Sequence, residues 1–382
     1  MNQRRNRPET TRKILGGICF FVSCTLFVAA FWPFNLVPPN EVGWLANEGG
    51  LWFGKNATIF SSGVFGVPRS STKPFCSVEI WLQPAFAGVK SSETILSFYT
   101  PDNPGKFRLM QYLDQFLVQR DYRDPQNHLA TAEIKVEHAF HRDERVLFTI
   151  TSNRKGTSVY RNGVFAESDS RFDLTCASFS GQLVIGNSQV IYDAWQGRLF
   201  GVAFYSQSLT REQISRHYES WSHCRVRQGF REDGLVALYS FAEGAGRMIH
   251  DSLGASPDLY IPQTFKILHK RLLTPPWEEF SPDLGYAWDL FINVIGFVPF
   301  GFFFYAYFVG DRPGDRAALL TVALGGLTSL AIEILQWFLP SRSSGVTDII
   351  ANTLGSGVGV ILWRLRVVQD LVGSLTGEDP SP

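Results

Sequence analysis

The residues with the types and spacing to do chemistry lie near the C-terminal end of this 382-residue chain. Glu333 and Gln336 are three apart, and Asp348 and Asn352 are four apart, so each pair shares one helix face. Asn293 lies upstream, and Arg342 falls in the short segment between the two pairs. Two carboxylates with a cation between them suit acid–base work, provided they are close enough to shift each other's ionisation. The same set could clamp an anionic headgroup, or it could be an ion-pair network that locks a helix hairpin.

These residues are embedded in three apolar segments running almost back to back from Asn293 to Gly359. Each is long enough to cross a bilayer, which takes about 20 helical residues. Ionisable groups inside a membrane are costly, so they are expected to face one another or a cavity. A fourth apolar run, Ile14 to Trp32, follows Arg4, Arg5, Arg7, Arg12 and Lys13. Its length and its bulky Phe20, Phe21, Phe27 and Phe31 predict an uncleaved anchor rather than a signal peptide. Basic flanks at 4–13, 312–316 and 364–366 place both termini in the cytoplasm. Arg342 is then the exception on the outer side, and Glu333, Arg342 and Asp348 are expected to meet there.

Between the first and second spans no apolar segment is long enough to cross. Short alternating runs are separated by Gly, Asn, Asp, Pro and Ser, the pattern of an all-β sandwich. Strands are predicted at 77–84, 94–99, 107–113, 115–120, 145–152, 157–160, 182–186 and 197–205. A short helix capped by Thr210 follows. Residues 233–262 are expected to close the same sandwich. Asp193 and Trp195, in a loop between strands, could line a ligand edge; the alternative is that Trp195 packs and Asp193 solvates the loop. Cys76, Cys176 and Cys224 would lie in an oxidising compartment, with a Cys76–Cys176 pair or buried free thiols as alternatives. Zero formal net charge argues against a nucleic-acid partner, and cysteines without C-x-x-C spacing argue against zinc.

Two resemblances follow from these residues. SVEIWLQP, FTITSNRKGTSVYRNGVF, GQLVIGN and GRLFGVAFYSQSLTREQISRHY resemble laminin-G-like, concanavalin A-like jelly rolls. That likeness implies binding of carbohydrate or another surface polymer, with Ca2+ as a candidate cofactor in the sandwich. Only Glu79 is acidic in SVEIW, so the paired carboxylates of a glycosidase are not expected there. N-x-x-G-F-x-P-F-G at 293–301, S-L-x-I-E-x-x-Q at 329–336, P-x-R at 340–342 and D-x-x-x-N-x-x-G at 348–355 resemble the VanZ-like family in order and spacing. This likeness implies a bacterial cell-envelope protein and a link to glycopeptide (teicoplanin) resistance.

The expected architecture is a multidomain membrane protein: a four-transmembrane-helix α-bundle plus an extracytoplasmic all-β jelly-roll sandwich. Its parts are a basic tail at 1–13, a first span at 14–36, the sandwich at 42–262, a linker at 263–286, the VanZ-like helices at 287–366 and a cytoplasmic tail at 367–382. The expected setting is the bacterial inner (plasma) membrane. The binding candidates are Asn293, Gln336, Arg342, Asn352, Asp193 and Trp195. Glu333 and Asp348 are the catalytic candidates should the protein modify an envelope lipid or peptidoglycan precursor with Arg342. The partners expected are the lipid bilayer and a glycan or cell-wall polymer.

Overall fold

The structure is a computed structural model that describes residues 9–46, 48–67, 75–86, 89–124, 129–222, 230–280 and 284–365. It forms two compact units, one from the two ends of the chain and one spanning Val37–Lys270.

The helical unit holds α1 (Glu9–Phe31). After the inserted unit, which contributes α2 (Arg211–Ser222), come the short α3 (Pro276–Glu279), α4 (Leu284–Val309), α5 (Gly314–Gln336) and α6 (Val346–Arg364). Among the described residues, α1, α4, α5 and α6 are long and apolar enough to span a membrane. In lipid no hydrophobic force drives helices together, so close backbone approach and hydrogen bonds must do it. Helix α6 packs on α4 through small residues. A Cβ at Gly355 would collide with the Val294 carbonyl oxygen, one at Gly359 with Val298, and one at Gly301 with Ser356. Against α5, the hydroxymethyl of Ser356 fills the space that a Cβ at Gly325 would need.

The inserted unit is a sandwich of antiparallel sheets. Among the described residues one sheet has eight strands, centred on Ser77–Pro84 between Gly197–Tyr205 and Val146–Asn153. The other has nine, with Ser180–Ile185, Val89–Thr100, Asn103–Leu113, Gln115–Arg123 and Leu129–Val136 running side by side. Aromatic side chains fill the space between them. Phe204 of the first sheet lies 5.7 Å from Phe98 of the second, and Phe148 stacks on Phe116 at 3.9 Å. Buried aromatics of this size dominate core energetics.

The strand Leu235–Tyr239 pairs with Gly197–Tyr205, and Leu259–Tyr260 pairs with Ile59–Ser61, so the late strands complete both sheets of the one sandwich. Cys76 and Cys176 are joined by a disulfide across a separation of 100 residues. Cys224 lies outside the described residues. Thr210 caps α2 reciprocally: its hydroxyl accepts from the Gln213 N–H at 3.3 Å, and the Gln213 side chain accepts from the Thr210 N–H at 2.8 Å.

The glycine contacts give a direct test. Gly355→Ala forces a methyl into the α4 backbone and should destabilise the helical unit by about 1–3 kcal/mol. Gly357→Ala, one turn-face away where nothing lies within 4 Å, should be neutral or slightly stabilising through better helix propensity. Thermal unfolding of the detergent-solubilised protein reads both.

Candidate functional sites

In the helical unit the polar residues form a buried seam. Thr321, Gly325, Ser329 and Glu333 recur every fourth residue along α5, all buried. They face α6, where Asn352 and Ser356 are buried and Asp348 is half-buried. Asn352 Nδ2 donates to Ser329 Oγ at 2.8 Å, and Ser356 Oγ donates to the Asn352 carbonyl at 3.1 Å. Asn293 Nδ2 of α4 donates to Asp348 Oδ1 at 2.6 Å.

At the N-terminus of α6 the free backbone donors are met by acids, the sign that complements the helix dipole. Glu333 Oε2 accepts from the Gly345 N–H at 2.8 Å, and Glu279 Oε2 accepts from the Thr347 N–H at 3.2 Å. The Val346 N–H goes to the Thr274 carbonyl at 3.0 Å. Glu279 was not singled out in the sequence, because it sits in a Pro-rich connector with no helical periodicity to tie it to α6.

Among the described residues Arg342 forms no salt bridge with Glu333 or Asp348. Arg342 is exposed and its guanidinium donates to the Trp32 carbonyl at 3.2 Å, at the end of α1. Gln336 likewise donates to the Ala30 carbonyl at 3.0 Å. Both satisfy the last carbonyls of α1, which have no partner within their own helix. An arginine in a turn has the reach to choose either role, and the helix end is the nearer acceptor. Thus Asn293 joins Asp348, Asn352 joins Ser329, and Glu333 caps α6, while Arg342 and Gln336 serve a different helix.

In the sandwich Trp195 is fully buried. It packs against Phe53 at 5.9 Å and donates its indole N–H to Gln111 Oε1 at 2.9 Å. It is a core residue, not a ligand edge. Asp193 is fastened into its own loop: Oδ2 accepts from Thr94 Oγ1 at 2.6 Å and Oδ1 from the Ser188 N–H at 2.7 Å. Burial pushes its carboxyl up to about 6. Nearby Glu93 is pushed up to about 7 by burial, assisted by the charge of Asp193 and opposed by the Gln196 N–H.

A calcium ion needs six to eight oxygen ligands. Both Asp193 oxygens already accept hydrogen bonds, and Asn187 Oδ1 accepts from the Asp193 N–H at 3.1 Å. That leaves Gln189 Oε1 as an acceptor and Asn187 Nδ2 as a donor without partners, so this loop by itself does not offer such a shell.

Asn187 is fully buried and Gln189 is 2% exposed, yet Asn187 Nδ2, Gln189 Oε1 and Arg108 Nε have no hydrogen-bond partner. They lie by the outer face of the nine-stranded sheet. One rung of that face reads Tyr260, Phe60, Val184, Ser97, Arg108, Gln119 and Glu133 in cross-strand register. These residues alternate with the core residues Leu96, Phe98, Leu109 and Val118, so they point away from the core. His269 stacks on Tyr99 at 3.9 Å beside them.

A second buried constellation escaped the sequence reading. The strand Ser77–Pro84 is buried on both faces, because α2 covers the side that alternation assigns to solvent. Glu79, fully buried, accepts from Tyr205 Oη at 2.6 Å, Thr149 Oγ1 at 3.1 Å and Trp221 Nε1 at 3.1 Å. His217 of α2 bridges Glu79 at 3.0 Å and Asp233 at 2.9 Å. Burial works against a charged imidazole, but the two carboxylates outweigh it and raise His217 above its ordinary value. Burial likewise opposes ionisation of Asp233, and its bonds from His217, Arg216 and Gln213 bring it below the usual carboxylate range. With Glu79 and His217 both fully buried, the network fastens α2 to the sheet. The signal available in sequence was Ile214, His217 and Trp221 on one helix face.

Taken together, the fold and seam define a four-span membrane protein that carries a lectin-type sandwich. A family model described as VanZ/LLP1 matches residues 236–368, beginning inside the closing strand Leu235–Tyr239. One described as the concanavalin A-like lectin/glucanases superfamily matches residues 64–215. The chain thus carries a VanZ-like domain and, ahead of it, a laminin-G-like, concanavalin A-like domain.

Over 92 residues it is also 35% identical to the fluoride-specific ion channel FluC of Aquifex aeolicus, covering 23% of this chain and 68% of that protein, which makes that segment its relative. Among solved structures, the binding domain of botulinum neurotoxin DC in complex with SialylT is 13% identical, with a TM-score of 0.35, over 48% of this chain and 45% of that one. A candidate carbohydrate-binding protein from Bacteroides ovatus is 14% identical, with a TM-score of 0.34, over 56% of this chain and 63% of that one. The chain thus spans between two fifths and two thirds of these structures.

The buried acids of the sandwich make its stability pH-dependent. A carboxyl whose folded pKa lies above its unfolded value stays neutral in the fold while the unfolded chain ionises, so stability falls as pH rises between the two. For Glu93 that window runs from 4.5 to about 7. Asp193 adds to it with the same sign. Glu93→Gln should raise the unfolding temperature at pH 7.5 and flatten the slope between pH 4.5 and 7, measured by thermal melts across that range.

Proposed function

We propose that this protein is a cell-envelope receptor of the bacterial plasma membrane, whose sandwich faces outward and holds a carbohydrate or related surface polymer. The helical unit anchors it. The observation that carries this reading is that Asn187 Nδ2, Gln189 Oε1 and Arg108 Nε, all by the outer sheet face, are buried without a hydrogen-bond partner. Each buried polar atom left unpaired costs about 1–3 kcal/mol, so such a set calls for a partner. A hydroxyl donates and accepts at once, and can serve such donors and acceptors through a bridging water. The rung around it mixes aromatic and polar side chains, which is the composition that sugar recognition needs.

The outward placement is supported by the disulfide, which persists in oxidising compartments, and by basic residues at the flanks that the positive-inside bias assigns to the cytoplasm. Glycopeptide resistance, implied by the VanZ-like likeness, is the phenotype that such a polymer-holding protein would confer. The lipid- or precursor-modifying alternative through Glu333, Arg342 and Asp348 is less favoured, because the carboxylates have structural work at the α6 terminus and the cation lies elsewhere.

A glycan array probed with the full chain in nanodiscs tests this. Binding is expected, with Arg108→Gln, which also removes the ion pair to Asp121 at 3.1 Å, weakening it about tenfold in a variant shown by thermal melts to be folded. A folded wild-type chain that binds no glycan overturns the reading.

A further inference from the structure

The eight-stranded sheet carries a second set of groups that the sheet-face reading does not use. Trp52, Arg198 and Gln83 are consecutive cross-strand neighbours, Trp52 opposite Arg198 and Arg198 opposite Gln83. Strand alternation sends them away from the core residues Leu51, Phe53, Leu199 and Leu82. They lie on the same face as Glu79 and Trp81, which α2 covers, but Trp52 is 46% exposed. With Pro84, Gly197 and Asp143 they line a cleft of about 200 Å³. That is small for a drug-sized ligand and suits one sugar ring.

Three features mark the cleft as built rather than incidental. First, the indole is pinned. Gly43 lies opposite Trp52 on the neighbouring strand, and a Cβ there would touch the ring at 3.7 Å. A Cβ at Gly54 would press on the indole at 2.8 Å. Gly54, just past the strand Leu51–Phe53, leaves the room that the indole and the Glu41 side chain occupy. Second, among the described residues Arg198 takes part in no salt bridge, although Arg142 and Arg145 beside the cleft are matched by Asp143 and Glu48. Third, Asp143 holds a left-handed backbone at φ 59°, a conformation uncommon outside glycine and more frequent at sites where a side chain must be aimed.

We propose that this cleft is a subsite for a carboxylated sugar residue of an envelope glycan. The apolar face of the pyranose stacks on Trp52, whose ring is both apolar and rigid. The Arg198 guanidinium takes the sugar carboxylate in its planar fork. The Gln83 amide and the Asp143 carboxylate bond the ring hydroxyls. The inference rests on the reading that the sandwich binds glycan and adds where a ring sits and which charge it bears.

The test uses the full chain in nanodiscs on an array of uronate- and sialate-containing oligosaccharides with their carboxyl-reduced counterparts. The wild type should prefer the acidic forms by at least fivefold. Trp52→Ala should weaken acidic and reduced forms alike by tenfold or more, with Trp52→Phe partly restoring both. Arg198→Gln should remove the preference for acidic forms and leave the reduced ones within twofold. Thermal melts confirm folding, which an exposed indole does not support. If the wild type binds and Trp52→Ala binds equally while Arg108→Gln does not, the cleft is not the subsite and the sheet-face reading stands. If Trp52→Ala weakens binding but the acidic preference is absent from the wild type, the carboxylate assignment is wrong. If the folded wild type binds none of the array, the carbohydrate reading fails and this inference with it.

Discussion

The structure depends on how the inserted unit closes where the chain enters and leaves it. The Asn40 N–H donates to the Gln263 carbonyl at 3.0 Å, the Phe265 N–H donates to the Pro38 carbonyl at 2.9 Å, and Pro39 and Thr264 form an antiparallel bridge. Asn40 then reaches the Thr58 backbone from both ends of its amide, and its Nδ2 also donates to the Pro262 carbonyl at 3.0 Å. With its two ends tied together, a long sandwich can interrupt a helical protein after its first helix without pulling the helices apart. This is the condition under which domain insertion is tolerated, and the entropy of so long a loop grows only slowly with length. It also explains why the last strands come after α2: the chain must return to the sheet edge near where it began.

The helical unit obeys a different constraint, which is that polar groups in hydrocarbon must find partners inside the protein. Its acids are used at the one place in a helix where backbone donors are free. Its amides cross between helices or finish the end of α1. The seam from Glu333 to Thr321 is bounded by glycines that let α4 and α6 touch. A site that is conspicuous by residue type is therefore largely explained by the needs of building helices in lipid, and the sandwich becomes the place to look for recognition.

Much of this was legible in the sequence. Apolar length revealed the four spans, period-two runs revealed the central strands, and the run 209–214 revealed a short helix with Thr210 as its cap. The closing strands were legible because the run 234–241 looks like the opening strand of the same kind of sandwich, placed after its body. The misses have physical causes. Trp195 sits in a loop, and loops are read as surface, but the following strand carries it back under the sheet. Glu79 looks like an outward residue on an alternating strand, and nothing local shows that α2, more than a hundred residues later, will cover it. Arg342 was assigned to the nearest acids in sequence, whereas the carbonyl ends of α1 are distant in sequence and close in space. Trp52 was passed over because its strand, Leu51–Phe53, is too short for periodicity to register.

Glycan access and the persistence of the disulfide both require the sandwich to lie outside the cell. The most direct measurement is labelling of a Val64→Cys variant, at a 79% exposed position of the sandwich, in a background lacking Cys19, Cys24 and Cys224. Arg316→Cys, in the first turn of α5, serves as the opposite marker. With a membrane-impermeant maleimide on intact cells, position 64 should react at once and position 316 only after permeabilisation. Reaction at 64 only after permeabilisation would contradict the account.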